Sequence, residues 1–230
     1  MTEFKYKKIS LDEYGVHQKI VRAVQPKTVV LEIGCAYGYI TRELTKKGCK
    51  VYCIEKDFRA AQIAASFCRQ IVVGDIEEKD ILEKVKVKKF GTIIFADVLE
   101  HLKNPVGVLK RSVEFLNDGG RIIISVPNIS FVTNRLTHLL GKFDYTKTGI
   151  MDESHLHFFT KKSISELIDK AGLRVSKFDY VGNFTQLPFY MQTLYPFLGK
   201  KTWSRKLEYK ITSFWTEGLA VQFILACQKK

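Results

Sequence analysis

The stretch Thr28–Ile33 (TVVLEI) is apolar or β-branched apart from one carboxylate, Glu32, and it empties directly into Gly34-Cys35-Ala36-Tyr37-Gly38. A short buried strand, a glycine turn and then a helix through Thr41–Lys47 form the opening of a βαβ unit. Gly34 and Gly38 bracket a turn where backbone must approach a ligand and side chains would obstruct it. Gly48 stops the helix, and a second strand, Lys50–Ile54, ends at Glu55.

The alternation continues along the chain. Upstream, Ser10-Leu11-Asp12-Glu13 has the form of a capping box, Val16, Ile20, Val21 and Val24 recur at helical spacing, and Pro26 ends that helix. Downstream, Asp57 caps a helix to about Cys68, Ile71–Val73 is a short strand, and Glu78–Val85 is expected to be helical. Gly91–Ala96 is a buried strand. Asn104-Pro105 starts a helix to about Leu116, Asn117–Gly120 is a turn, and Arg121–Val126 is the fifth strand, halted by Pro127. Such alternation implies a parallel sheet with helices on both faces.

The remainder changes character. Asn128–Phe159 is long for a connection and holds a short helix around Val132–Leu140. Thr160 caps a helix through Ala171, closed by Gly172. Leu173–Val181 and Ala220–Gln228 read as two strands pairing as an antiparallel hairpin. With no repeat or linker, residues 1–230 are expected to form one domain, with substrate-side elaborations at about 128–160 and 183–218.

Charge and cysteines narrow the setting. Net charge is +13, which attracts anions such as nucleic acid, anionic lipid or phosphorylated small molecules. Because the lysines are spread along the whole chain, charge alone chooses none of these. Cys35, Cys49, Cys53, Cys68 and Cys227 form no CxxC pair and read as reduced, mostly buried thiols. No apolar run reaches the roughly 20 residues that cross a bilayer, and no apolar stretch follows the basic residues of the N-terminus. A cytoplasmic protein is expected.

A glycine turn by itself is weak evidence, since dinucleotide enzymes use one too. The sharper signal is Glu55 at the end of the second strand, where a carboxylate can accept both hydroxyls of a ribose. A dehydrogenase would normally show Gly-x-Gly-x-x-Gly rather than Gly34/Ala36/Gly38. VLEIGCAYGYIT (Val30–Thr41), VYCIEKD (Val51–Asp57), VVGDI (Val72–Ile76) and FADVLEHL (Phe95–Leu102) follow in order. Together they resemble the first four motifs of class I S-adenosylmethionine-dependent methyltransferases. SVPN (Ser125–Asn128) and DESHLHFFT (Asp152–Thr160) are similar to a bacterial subgroup, the type 11/12/23 cluster that includes the ubiquinone-biosynthesis O-methyltransferases.

The resemblance implies a Rossmann-like α/β fold with a seven-stranded mixed sheet in the order 3-2-1-4-5-7-6. It implies S-adenosylmethionine as cofactor and S-adenosylhomocysteine as product. It further implies that Glu32 orders the glycine loop and meets the methionine amino group, and that Gly34, Ala36 and Gly38 line the methionine moiety. Glu55 would bind the ribose, Asp75 the adenine amino group, and Asp97 would border the sulfonium. The departure from the family pattern is Ala36, which stands where the middle glycine is usual.

The sulfonium is already activated, so the protein must chiefly position an acceptor and, for a hydroxyl, remove its proton. Candidate bases are His155, His101 and His157, in that order. His155 and His157 alternate with Leu156 and Phe158, a strand pattern that puts both on one face. His17 and His138, on helices, read as surface or packing residues. Asp97-x-x-Glu100-His101 with His155 resembles the acidic-x-x-Glu-His pattern of small-RNA 2′-O-methyltransferases and ubiquinone-pathway O-methyltransferases, and could hold a divalent metal; a metal-free site is the favoured expectation.

The expected function is methyl transfer to oxygen on a small molecule or a glycan or lipid precursor, which an anionic group would suit. An RNA 2′-O-methyltransferase and a non-catalytic cofactor-binding protein are the alternatives. In Asn183–Gly218, Phe184, Phe189, Tyr190, Tyr195, Phe197, Trp203, Tyr209, Phe214 and Trp215 are interleaved with Lys200, Lys201, Arg205, Lys206 and Lys210. Accessory packing, a cover over the acceptor and a peripheral membrane patch all fit that mixture.

Overall fold

The computed structural model describes residues 12–184 and 202–230. Seven strands form one sheet in the order β3-β2-β1-β4-β5-β7-β6. The strands are β1 (Val29–Ile33), β2 (Lys50–Glu55), β3 (Gln70–Val73), β4 (Phe90–Ala96), β5 (Leu116–Pro127), β6 (Leu173–Gly182) and β7 (Ala220–Lys229). Neighbours from β3 to β5 run parallel, whereas β7 is antiparallel to both β5 and β6. The expected sheet and its antiparallel pair are both present.

Side-chain caps start three of the helices. Asp57 accepts the Ala60 amide at 2.9 Å and caps α3 (Phe58–Ala64). Asn104 accepts the Gly107 amide at 2.9 Å ahead of Pro105, the first residue of α4 (Pro105–Glu114). Thr160 and Ser163 satisfy each other's backbone amides in a capping box at the start of α6 (Lys161–Lys170). Ahead of them come α1 (Val16–Ala23) and α2 (Tyr39–Lys46), and α5 (Val132–Leu139) lies between α4 and α6; α7 (Thr202–Phe214) and α8 (Thr216–Leu219) precede β7.

Four local expectations change. The first helix begins at Val16 behind a turn over Asp12–Gly15, with Gly15 as an N-cap that lends no side chain; Ser10 and Leu11 lie outside the described residues. Glu78–Val85 is no helix but a chain of turns with a 3₁₀ turn at Leu82–Lys84. Its backbone bonds close over three residues, from Glu83 to Asp80, Lys84 to Ile81 and Val85 to Leu82, the pattern of turns and 3₁₀ helix, and this still buries Ile81, Leu82 and Val85. The expected turn at Asn117–Gly120 is absorbed into β5, where the pairing jumps from Phe90↔Leu116 to Thr92↔Arg121. The segment around His155 and His157 is irregular rather than a strand, because the amides of Leu156 and His157 both donate to the Glu100 carbonyl, at 2.8 and 3.1 Å. Within Asn183–Gly218, residues 185–201 (among them Phe189, Tyr190, Tyr195, Phe197, Lys200 and Lys201) lie outside the described residues.

The sheet separates two apolar clusters. One, around Phe90, Phe95, Ile122 and Phe223, packs under α4 and α6; the other, around Ile20, Val30, Leu44 and Ile94, packs under α1 and α2. Cys35, Cys49, Cys53 and Cys227 are buried, Cys68 is half-buried, and all five are free thiols. Burial pushes the Cys227 thiol up to about 12, so it stays protonated and inert. No helix among the described residues is long and apolar enough to cross a membrane.

Candidate active site

Two cavities open at the carboxyl ends of β1 to β4, where ligands sit in parallel α/β sheets. The larger, about 440 Å³, is lined by residues that include Gly34, Ala36, Glu55, Lys56, Asp75, Ile76, Asp97, Val98, His101, Leu102 and Leu156. The smaller, about 160 Å³, adjoins it across the glycine loop and includes His17, Glu32, Gly34, Ala36, Tyr39, Asp97, His101 and Ser125. Six of the seven residues assigned to the cofactor thus line a cavity. Gly38 does not: it starts α2 at φ +75°, and a Cβ there would lie 3.0 Å from the Ala64 Cα of α3.

The glycine loop is held from two sides. Glu55 accepts the Ala36 amide at 2.8 Å with one carboxylate oxygen and the Asp57 amide at 2.9 Å with the other. It therefore ties the loop to the start of α3, and each oxygen keeps a lone pair for a further donor. Gly34 has φ +70°, and a Cβ there would stand 2.7 Å from Val98 Cγ2. Ala36 is itself left-handed at φ +46°, so the residue that departs from the family pattern holds a conformation in which its methyl is strained.

Below the loop, Glu32 is fully buried and accepts the Thr41 hydroxyl at 2.6 Å. Desolvation pushes its carboxyl up to about 8, so it carries a proton at neutral pH. Asp97 is left-handed at φ +56° and is fixed from β5 and β7: Ser125 Oγ donates to its Oδ1 at 2.7 Å, and the Gln222 side-chain amide donates to the same oxygen. Asp75 is exposed and accepts the Glu77 amide at 2.9 Å, while facing the larger cavity.

The histidines separate. His101 lines both cavities, and His155 lies against it with ring centroids 4.8 Å apart. His101 Nδ1 is 3.1 Å from the Ser154 carbonyl, and His155 Nδ1 is 3.1 Å from the Ile150 carbonyl. A carbonyl can only accept, so in each neutral ring Nδ1 carries the proton and Nε2 presents a bare lone pair. Burial lowers the His101 pKa, which keeps that ring neutral. His157 stacks on Phe159 with a buried Nε2 that makes no hydrogen bond, away from both cavities. His17, read as a surface or packing residue, instead lines the smaller cavity with a buried Nδ1 lacking a partner, and burial lowers its pKa. The available signal was its place between Val16 and Ile20 on the apolar face of α1.

Glu100 is buried with both carboxylate oxygens unpartnered, and desolvation holds its carboxyl well above the usual range. Ligand atoms of Glu100, His101 and His155 all lie within 4.8 Å of one another. Asp97, the acidic residue that opens the acidic-x-x-Glu-His pattern, stands outside this trio. A buried unpartnered carboxylate beside two bare imidazole nitrogens fits a divalent cation.

Comparison with known proteins agrees with this geometry. Residues 12–177 match a family model described as a methyltransferase domain. The malonyl-[acyl-carrier protein] O-methyltransferase of Bacillus cereus is 24% identical over 172 residues, covering 72% of this chain and 62% of the relative. A ubiquinone biosynthesis O-methyltransferase of Coxiella burnetii is 21% identical over 149 residues, covering 64% and 63%. The chain thus spans less than two thirds of either relative's length. Among solved structures, an S-adenosylmethionine-dependent methyltransferase from Thermotoga maritima superposes with a TM-score of 0.61 at 18% identity, covering 94% of this chain and 89% of that one. The magnesium protoporphyrin IX methyltransferase of Synechocystis, with bound S-adenosylhomocysteine, gives 0.61 at 12% identity, covering 98% and 90%. With its family model, sheet order and strand-end cavities in agreement, this chain belongs to the S-adenosylmethionine-dependent methyltransferases.

Proposed function

We propose that this protein transfers the methyl group of S-adenosylmethionine to an oxygen of a small molecule or of a glycan or lipid precursor. The observation that carries this reading is His101, whose bare Nε2 belongs to a ring lining both cavities beside Asp97. In this reading Glu32 meets the methionine amino group, the Gly34–Ala36 backbone follows the methionine chain, and Glu55 takes the ribose hydroxyls. Asp75, above an apolar wall of Ile76 and Leu102, takes the adenine amino group, and Asp97 borders the sulfonium.

His101 would take the proton of an acceptor hydroxyl held at the cavity, and the bound cofactor would supply the methyl group, with its sulfur as the leaving group. His155, first in the order expected from sequence, serves in this reading as the ring that orients His101 by edge contact. His157 is a packing residue in this reading.

A second reading is supported by the unpartnered Glu100. Glu100, His101 and His155 would hold a divalent cation, which would bind the acceptor oxygen as a Lewis acid and favour its ionised form. The O-methyltransferase names of the two sequence relatives support oxygen as the acceptor atom.

The deciding experiment is a screen of acceptor pools (phenols, sugar nucleotides, lipid extracts and RNA) for S-adenosylhomocysteine release. Turnover with a hydroxylated small molecule, lost in His101→Ala while cofactor binding survives, is the expected result. Turnover on RNA alone, or cofactor binding without turnover on any pool, would replace this reading with one of the two alternatives.

A further inference from the structure

Helix α7 is built inside out. Four of its polar residues, Arg205, Glu208, Tyr209 and Thr212, face the protein: Arg205 pairs with Asp12 at 2.6 Å and with Glu208, and Glu208 accepts the Phe184 amide. Tyr209 stacks on Tyr180 at 4.7 Å and donates to Asp179 at 3.2 Å. Thr212 is fully buried, its hydroxyl returned to the Glu208 carbonyl at 2.8 Å. The apolar residues face outward, with Trp203 52%, Leu207 48%, Ile211 37% and Phe214 82% exposed. Steps of four, four and three residues align these side chains as one stripe along the helix. A helix on an ordinary water-facing surface shows the reverse arrangement, and an apolar stripe of this length marks a contact surface.

The surroundings select the partner. Lys206 and Lys210 are exposed beside the stripe, within a chain of net charge +13. At the end of the helix, the Arg135 guanidinium of α5 lies 5.6 Å from the Trp215 ring centre, and Leu139 at the end of α5 and Leu140 just beyond it are largely exposed. The apolar surface therefore continues towards the cavity end of the sheet, where Asn128 Nδ2 donates to the Glu217 and Ala220 carbonyls that link α8 to β7.

We propose that this face docks on an anionic lipid bilayer. The aromatic and aliphatic stripe enters the boundary between headgroups and acyl chains, and Lys206 and Lys210 meet lipid phosphates. A second copy of the chain is a poorer occupant, because a two-fold pairing of the stripes sets these lysines against their equivalents. Docked this way, the cavities lie near the membrane surface, where an acceptor with an apolar tail can reach them. That last step rests on the methyl-transfer reading; the docking itself does not.

Vesicle flotation without acceptor or cofactor tests it. The protein is expected to float with phosphatidylcholine vesicles containing phosphatidylglycerol, to stay behind with phosphatidylcholine alone, and to be released by high salt. Ile211→Glu and Leu207→Glu should abolish flotation with an unchanged melting temperature, since both side chains point outward. Lys206→Ala with Lys210→Ala should weaken it roughly fivefold per lysine, at about 1 kcal/mol each. No flotation with anionic vesicles, equal flotation with neutral ones, or a dimer in sedimentation that Ile211→Glu splits would each overturn the proposal. None of those outcomes touches the methyl-transfer reading, which the acceptor screen decides separately.

Discussion

Thr41 donates its hydroxyl to Glu32 across 2.6 Å at a place from which water is excluded. That single hydrogen bond does not offset desolvation, and the Glu32 carboxyl, ordinarily near 4.5, is pushed up to about 8. In the unfolded chain Glu32 loses its proton near the ordinary value, while the folded chain keeps it until about pH 8. The stability this proton confers is complete at acid pH and is lost as pH rises through that window. Buried Glu100 acts in the same direction. Urea unfolding of the cofactor-free protein should show stability falling with pH by up to about 1.4 kcal/mol per unit per carboxyl. Glu32→Gln should flatten part of that slope; an unchanged slope would remove Glu32 as its source.

Cofactor affinity should move oppositely. An ammonium beside Glu32 favours its ionised form, so S-adenosylmethionine should bind more tightly as pH rises towards 8, and Glu32→Gln should lose that dependence. Calorimetry across the range checks this, and equal affinity at all pH values would place the amino group elsewhere.

Glu55→Ala should weaken S-adenosylmethionine binding by about 1.5–3 kcal/mol, through loss of two charge-assisted bonds to the ribose. The same carboxylate holds the Ala36 and Asp57 amides, so the variant should also melt earlier without ligand. If affinity is unchanged by calorimetry, Glu55 is not the ribose ligand.

His101→Ala should cost roughly 10²–10⁴ in turnover and leave cofactor binding intact. His155→Ala should cost less, and His155→Phe, which keeps an aromatic ring against His101, should recover part of the loss. His157→Phe should match the parent in turnover and equal or exceed it in stability, because a buried nitrogen without a partner is removed. Near-normal turnover in His101→Ala would take proton transfer away from this ring.

Removing divalent ions tests the trio. Mn²⁺ should raise the melting temperature of the parent protein but not of Glu100→Gln, and chelation should depress turnover. Full turnover in EDTA, with no thermal shift by Mn²⁺, ends the metal reading.

What was legible in the sequence was local. Apolar runs marked β1, β2 and β4, and Asp57, Asn104 and Thr160 each announced a helix by a side chain that bonds an amide three residues on. Several cavity residues were legible as well, because Glu55 and Asp97 sit where strands stop. What stayed hidden depends on partners far along the chain. The alternation His155-Leu156-His157-Phe158 has the period of a strand, yet the Glu100 carbonyl gathers two consecutive amides and bends it away. His17 reads as packing until the glycine loop is placed against α1. The pattern of α7 reveals two faces but not which one the protein keeps, since that is decided by Asp12, Asp179 and Tyr180.

The contact between Gln222 and Asp97 joins residues 125 positions apart. A nascent chain can therefore shape the glycine loop, whose tie from Glu55 to Ala36 spans only 19 positions, long before Asp97 is braced from β7. Any emerging fragment that stops short of Gln222 holds Asp97 from Ser125 alone. On the proposed reading, such a fragment should capture cofactor during synthesis yet remain idle until β7 has slipped between β5 and β6.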